Sequence, residues 1–217
     1  MSNHRLGLMG ACTVCAATAS FAVFMLLPGG ALPFMLSCGA SIFIAFGYIC
    51  LAAGLAAYAE PEKKACAFTA VAFAGVYAVF VTFVYYTQLT TVWQQAAPQD
   101  LLTEITYRPG SWFFNLDLFG YGLLSLSTVF AGLAVTAKTR GETWLRRLLM
   151  IHGLFAVSCF AFPVLGLFSR DAEGASSDLY GVLALECWCL YFLPVTLLAA
   201  DFFKRRGREA AAAGKHA

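Results

Sequence analysis

Charge is scarce in this chain. Only 12% of its 217 residues are Asp, Glu, Lys or Arg, while 60% are hydrophobic, twenty are Phe and the mean hydropathy is +0.74. Soluble globular proteins carry about 25% charged residues, so the deficit excludes a soluble domain. It also leaves no basic stripe for nucleic acid. The chain lacks long polar stretches as well, and no connection but one is long enough to hold anything beyond a turn. Missing too are the sequence marks of common chemistry: no G-x-S-x-G elbow, no H-E-x-x-H, no phosphate loop and no dinucleotide fingerprint occur. With His152 the one histidine within a span and no second His clustered with its cysteine neighbours, a haem or zinc site lacks its two to four convergent ligands. No metal and no cofactor is expected.

What the chain does have is uncharged or nearly uncharged stretches long enough to cross a hydrocarbon core of roughly 30 Å. In lipid they must be helices, because each segment has to pair its own backbone groups. Six spans are expected, at residues 6–27, 34–58, 65–89, 112–136, 145–168 and 179–203. The fold class is therefore all-α: one polytopic membrane bundle over residues 1–203, followed by a basic, Ala-rich tail, 204–217, expected to be disordered. Ala17-Thr18-Ala19 has the small residues of a signal cleavage site, but the apolar run continues through Phe21, Phe24 and Leu27, and cleavage would halve a complete span.

The few charges set the orientation. Arg5, Lys63, Lys64, Lys138, Arg140, Arg146, Arg147, Lys204, Arg205, Arg206, Arg208 and Lys215 fall on one side of a six-span chain, and only Arg108 and Arg170 on the other. Positively charged flanks stay cytoplasmic. Both termini are thus expected inside, in a plasma or bacterial inner membrane, with the tail against anionic lipid headgroups.

Eight cysteines would suggest disulfides in a secreted chain, yet seven lie within spans and Cys66 at a cytoplasmic helix end, so they read as small packing residues. Cys12-x-x-Cys15 has no matching pair. Pro163 and Pro194 fall within the fifth and sixth spans, where a proline removes a backbone hydrogen bond and kinks the helix.

Against this background the acids within spans stand out. With Ser111 as N-cap of the fourth span, Asp117 lies about 9 Å into the outer leaflet, and Glu186, counted from Asp178, about 12 Å. Gln88 closes the third span at a similar level. Asp117, Tyr121, Ser125 and Thr128 recur at helical spacing as one polar stripe, and Tyr85 and Gln88 share a face. An acid facing lipid at such depth costs around 2.5–3.5 kcal/mol on insertion scales, so Asp117 and Glu186 are expected to turn inward, their carboxyls near one another or near the side chains of Tyr85, Gln88 or Tyr121. Asn115, one half-turn shallower, reads as interfacial. His152, about 7–8 Å from the cytoplasmic end of the fifth span, is a candidate proton relay, although a histidine bonded to a neighbouring helix serves equally. The long external connection, 90–111, is expected to lay a short helix on the membrane, with Leu101, Leu102 and Ile105 as its apolar side. Trp93, Tyr107 and Trp112 are its expected headgroup anchors, and placed above the acids it would act as a lid.

Three functional classes fit these residues. The first is an outward-facing polar cavity lined by Tyr85, Gln88, Asp117, Tyr121, Glu186 and Trp188, binding or transporting a small cationic or amphiphilic molecule, or protons. The second is an accessory protein whose polar groups specify packing, and the third a lipid-modifying enzyme with Asp117 or Glu186 as acid or base. Two acids at one level favour the first. In size, span count and external site the chain resembles the S-components of energy-coupling-factor vitamin transporters, by architecture and without a shared motif. Its expected partners are membrane lipids and a small-molecule or ion ligand. Active transport would need a membrane-protein partner or an ion gradient, because the chain has no ATP-binding motif.

Overall fold

The computed structural model describes residues 1–27, 30–167 and 175–213. Its helices are α1 (Asn3–Leu26), α2 (Ala31–Ala57), α3 (Lys64–Thr87), α4 (Gln99–Ile105), α5 (Trp112–Ala134), α6 (Arg140–Ile151), α7 (Leu154–Val164) and α8 (Ala175–Ala213). A 3-10 turn, Pro61–Lys63, leads into α3, and a π-turn, Gln88–Val92, continues it. No strand occurs among the described residues. Six segments are long and apolar enough to cross a membrane, with α6 and α7 together making the fifth. The sequence placed all six. The expected connections at 28–33 and 169–178, with Arg170 and the last four residues of the tail, lie wholly or partly outside the described residues.

The segments follow one another around a ring: α8 packs on α1, α1 on α2, α2 on α3, α3 on α5, and α5 on both α6 and α7, while α6 returns to α8. Aromatic rings fill the centre, where Tyr48 meets Tyr77 at 6.0 Å and Phe192 at 6.2 Å between centroids. Tyr48 donates to Ser127 (2.9 Å), which donates to the Ala70 carbonyl (2.6 Å), so α2, α3 and α5 share one relay of hydroxyls. Phe43, Phe68, Val79, Leu154, Val157 and Leu190 point away from the bundle, as lipid-facing residues would.

Small residues set the tightest approach. A Cβ at Gly10 of α1 would lie 2.4 Å from the Leu51 nitrogen and 2.6 Å from the Gly47 carbonyl of α2, and one at Gly54 would lie 2.5 Å from the Gly7 Cα. The two backbones touch, the arrangement by which membrane helices gain packing without a hydrophobic driving force.

Two expectations change. The fifth span breaks at His152–Gly153 and not at Pro163, which sits one residue before the end of α7. A Cβ at Gly153 would lie 2.3 Å from a Val129 methyl, so the break occurs where α5 presses against the turn. The tail, in turn, is helical through Ala213, and α8 runs unbroken through Pro194. Arg205 and Arg206 find partners, as described below, and a helix whose side chains are held persists past its apolar part.

Candidate functional site

Ser111 fixes the start of α5, its hydroxyl accepting from the Phe114 N–H at 3.2 Å. From that start the helical period turns Asp117, Tyr121, Ser125 and Thr128 into the bundle, where all four are buried. The two lower hydroxyls serve their own helix: Ser125 donates to the Tyr121 carbonyl and Thr128 to the Ser125 carbonyl. Asp117 does not. Its Oδ2 accepts from the Tyr85 hydroxyl of α3 at 3.0 Å and from the Tyr107 hydroxyl at 2.9 Å.

Tyr107 belongs to the segment between α4 and α5. It is not the headgroup anchor expected from the sequence. Its hydroxyl dips to Asp117 and its ring lies against Tyr85, Phe114 and Phe34. Burial, then the Asp117 carboxylate and the hydrogen bond to it, hold the Tyr107 phenol well above its usual range, so it remains a donor at any physiological pH. Trp93 and Trp112, by contrast, are exposed as headgroup anchors would be.

Gln88 fastens this segment. Its amide nitrogen donates to the Ile105 carbonyl at 2.8 Å and its oxygen accepts from the Tyr107 N–H at 2.9 Å, so one buried side chain satisfies two loop backbone groups. Leu102 and Ile105 of α4 are buried against Val84 and Phe113. The expected short helix exists, with two of its three apolar residues packed on the bundle and Leu101 exposed.

The second oxygen of Asp117, Oδ1, is buried and accepts from nothing. One helical turn along, the Tyr121 hydroxyl is also buried without a hydrogen bond, as is that of Tyr77, whose ring meets the Tyr121 ring edge-on at 5.6 Å. Three polar atoms without partners in one apolar layer are uncommon, since each unmet group costs about 1–3 kcal/mol. A cavity of about 280 Å³ opens between α2 and the end of α3, bounded by Phe34, Met35, Cys38, Gln88, Val92 and Trp93; Asp117, Tyr121 and Tyr77 are not part of its wall.

Glu186 does not join Asp117. It makes no hydrogen bond to Asp117, Tyr85, Gln88 or Tyr121; its Oε1 is buried and unpartnered, and the residue is only half-buried, between the exposed Leu183 and Leu190. Depth places the two acids level, and the hydrogen bonds of Asp117 go to Tyr85 and Tyr107 instead. Trp188, two residues on, does reach the interior. Its ring meets Tyr121 edge-on at 5.1 Å, and its indole N–H donates to Nε2 of His152 at 3.0 Å.

That bond fixes the histidine. Indole only donates, so Nε2 must be unprotonated. On the other side Nδ1 lies 2.9 Å from the Thr128 oxygen, whose hydrogen is already committed to the Ser125 carbonyl. Nδ1 is therefore the protonated nitrogen, and the ring is neutral with both positions used. A relay would need a further proton at Nε2, at the expense of the Trp188 bond. This arrangement suits a bracket joining α5, the α6–α7 break and α8.

A second polar cluster, at the end holding the termini, was not expected from the sequence. Glu142 is buried, its Oε2 accepting from the Lys138 N–H at 2.6 Å and its Oε1 paired with Arg206 of α8 at 3.2 Å. The Arg206 guanidinium lies 4.6 Å from the Phe202 ring centre and 5.9 Å from that of Tyr58, and also pairs with Glu209. Arg205 pairs with Asp201 and donates to Thr139. Nearby, hydrogen bonds from Thr136 and Lys63 hold the Glu60 carboxyl below its usual range. Among the described residues, no three His, Cys, Asp or Glu side chains converge as metal ligands would.

No protein-family model, no curated protein and no solved structure matches this chain. The architectural resemblance to vitamin-transporter S-components draws no support from them.

Proposed function

We propose that Asp117 is the charge-bearing centre of an outward-facing site that takes up a small cation or a proton within the membrane. The observation that carries this reading is the Asp117 carboxylate itself, with one oxygen held by two tyrosine hydroxyls and the other buried and unmet. A charge buried with half its capacity unused is costly unless something completes it. Tyrosine rings close to such a carboxylate are also the kind of surface that attracts cations. Gln88 serves as the clasp of the covering segment. Glu186 lies apart, Trp188 supports Tyr121, and His152 is structural.

An accessory role keeps one observation in its favour, the fully bonded His152 bracket, which explains helix arrangement without any ligand. The experiment that separates the readings uses Asp117→Asn, which keeps the side-chain shape. Thermal stabilisation of the purified protein by small organic ammonium ions, and the dependence of its melting temperature on pH, should both respond to Asp117 and both flatten in the variant. An Asp117→Asn protein that retains the parent's responses would remove Asp117 as the site and leave the accessory role.

A further inference from the structure

We infer that the occupant is a protonated amine that carries N–H donors on an apolar body, and that it reaches Asp117 by displacing the Tyr107 hydroxyl. The inference rests on the reading of Asp117 as a cation site and names the ligand class that site would take.

The route comes from contacts. Phe34 and Gln88 both line the cavity, and both touch Tyr107: the Phe34 ring is 6.4 Å from the Tyr107 ring and the Gln88 oxygen holds the Tyr107 N–H. The Tyr107 hydroxyl is in turn on Asp117. Tyr107 thus bridges two residues of the cavity wall and the carboxylate. It is held by its hydroxyl bond, by the two bonds of Gln88 and by packing of its ring and of Leu102 and Ile105, all of them non-covalent contacts.

The chemistry of the ligand follows from what Tyr107 supplies. Once its hydroxyl leaves, Oδ2 keeps only the Tyr85 donor and Oδ1 has none. A newcomer must bring positive charge and one hydrogen-bond donor to replace what Tyr107 gave, and a second donor would meet Oδ1 as well. A primary ammonium, with three N–H groups, does so and a quaternary ammonium brings charge alone. Anions are excluded by the carboxylate, and a bare hydrated metal ion would have to exchange its water for phenol oxygens, which are poor replacements. The cavity supplies the other half of the specification. Phe34, Met35, Val92 and Trp93 offer apolar and aromatic surface, and about 280 Å³ accommodates a body of one ring with a short chain. Tyr107, assigned from sequence to the headgroups, becomes a stand-in for the ligand, occupying its hydrogen-bonding position until it arrives.

Two probes test this on the full-length protein in lipid nanodiscs: phenethylammonium and its N,N,N-trimethyl analogue, with binding followed by calorimetry. The primary amine should bind about ten- to a hundredfold more tightly, the ratio expected for hydrogen bonds to a charged group. Tyr107→Phe, which keeps the ring and loses the competing donor, should tighten binding of the primary amine several-fold. Equal affinities for the two probes, or weaker binding in Tyr107→Phe, would overturn the inference. If both probes bind equally and Asp117→Asn abolishes both, the cation site stands and the donor requirement falls. If neither probe binds while the melting temperature still titrates through Asp117, the site belongs to a proton and the amine is excluded. Failure of binding and titration together removes both readings.

Discussion

The orphaned oxygen of Asp117 and the saturated ring of His152 are opposite cases of one rule, that buried polar groups seek partners. At His152 both ring nitrogens are bonded, whereas Asp117 keeps one oxygen without a donor among its neighbours. His152→Leu should accordingly destabilise, by roughly 1–3 kcal/mol, because the Trp188 N–H would be left buried and unpaired; thermal unfolding in detergent measures it. Ligand response should survive in the fraction that remains folded. Glu186→Gln should leave amine binding unchanged, since Glu186 makes no hydrogen bond to the groups around Asp117; lost amine binding in that variant would place Glu186 back in the site. The limits of sequence reading show at these residues. Asp117, Tyr121, Tyr85 and Gln88 were legible because helical spacing puts them on interior faces. The pairing of Asp117 with Glu186 was misread because depth along a helix says nothing of the angle around it. Tyr107 escaped because an aromatic beside Pro109 in a connection has no periodicity to reveal that it turns inward.

Among the elements, α1 and α2 are joined by backbone contact and α6 and α8 by charge. Gly10→Val should separate the first pair, because its branched side chain would occupy the space held by the Leu51 nitrogen and the Gly47 carbonyl. A loss of roughly 1–3 kcal/mol or more is expected for such overpacking, read as a lower melting temperature, whereas a substitution at Gly39, where an added Cβ meets nothing, should be tolerated. Glu142→Ala should cost about 1–3 kcal/mol, because it removes the buried partner of Arg206 and the acceptor of the Lys138 N–H and leaves the guanidinium only Glu209, and Glu209→Ala, at the exposed side of the same guanidinium, less than about 1 kcal/mol. Comparing the two melting temperatures tests whether burial, and not charge count, decides the strength of the cluster. Glu142 was invisible in the sequence because an acid between Arg140 and Arg146 reads as a solvated turn, and its partner lies sixty-four residues away.

For the whole molecule, the spans were legible because bilayer thickness dictates their length and lipid dictates their composition, and no comparable ruler exists for the extramembrane ends. Orientation rests on the distribution of basic residues. On a cysteine-free background, Gln99→Cys should react with an impermeant thiol reagent from outside intact cells and Arg208→Cys only after the membrane is opened; the reverse pattern would turn the site to face the cytoplasm.

The uninterrupted length of α8 has a mechanical meaning. Thirty-nine residues at 1.5 Å each make a rod of about 58 Å, nearly twice the hydrocarbon thickness. Trp188 and Arg206 lie eighteen residues apart along it, about five turns at 3.6 residues per turn, and so project at nearly the same angle from the axis. One face of the helix therefore carries both the Arg206 pair with Glu142 and the Trp188 bond to His152, about 27 Å apart along the axis at 1.5 Å per residue. A single rod anchors the α6 start at one level and the α6–α7 break at another.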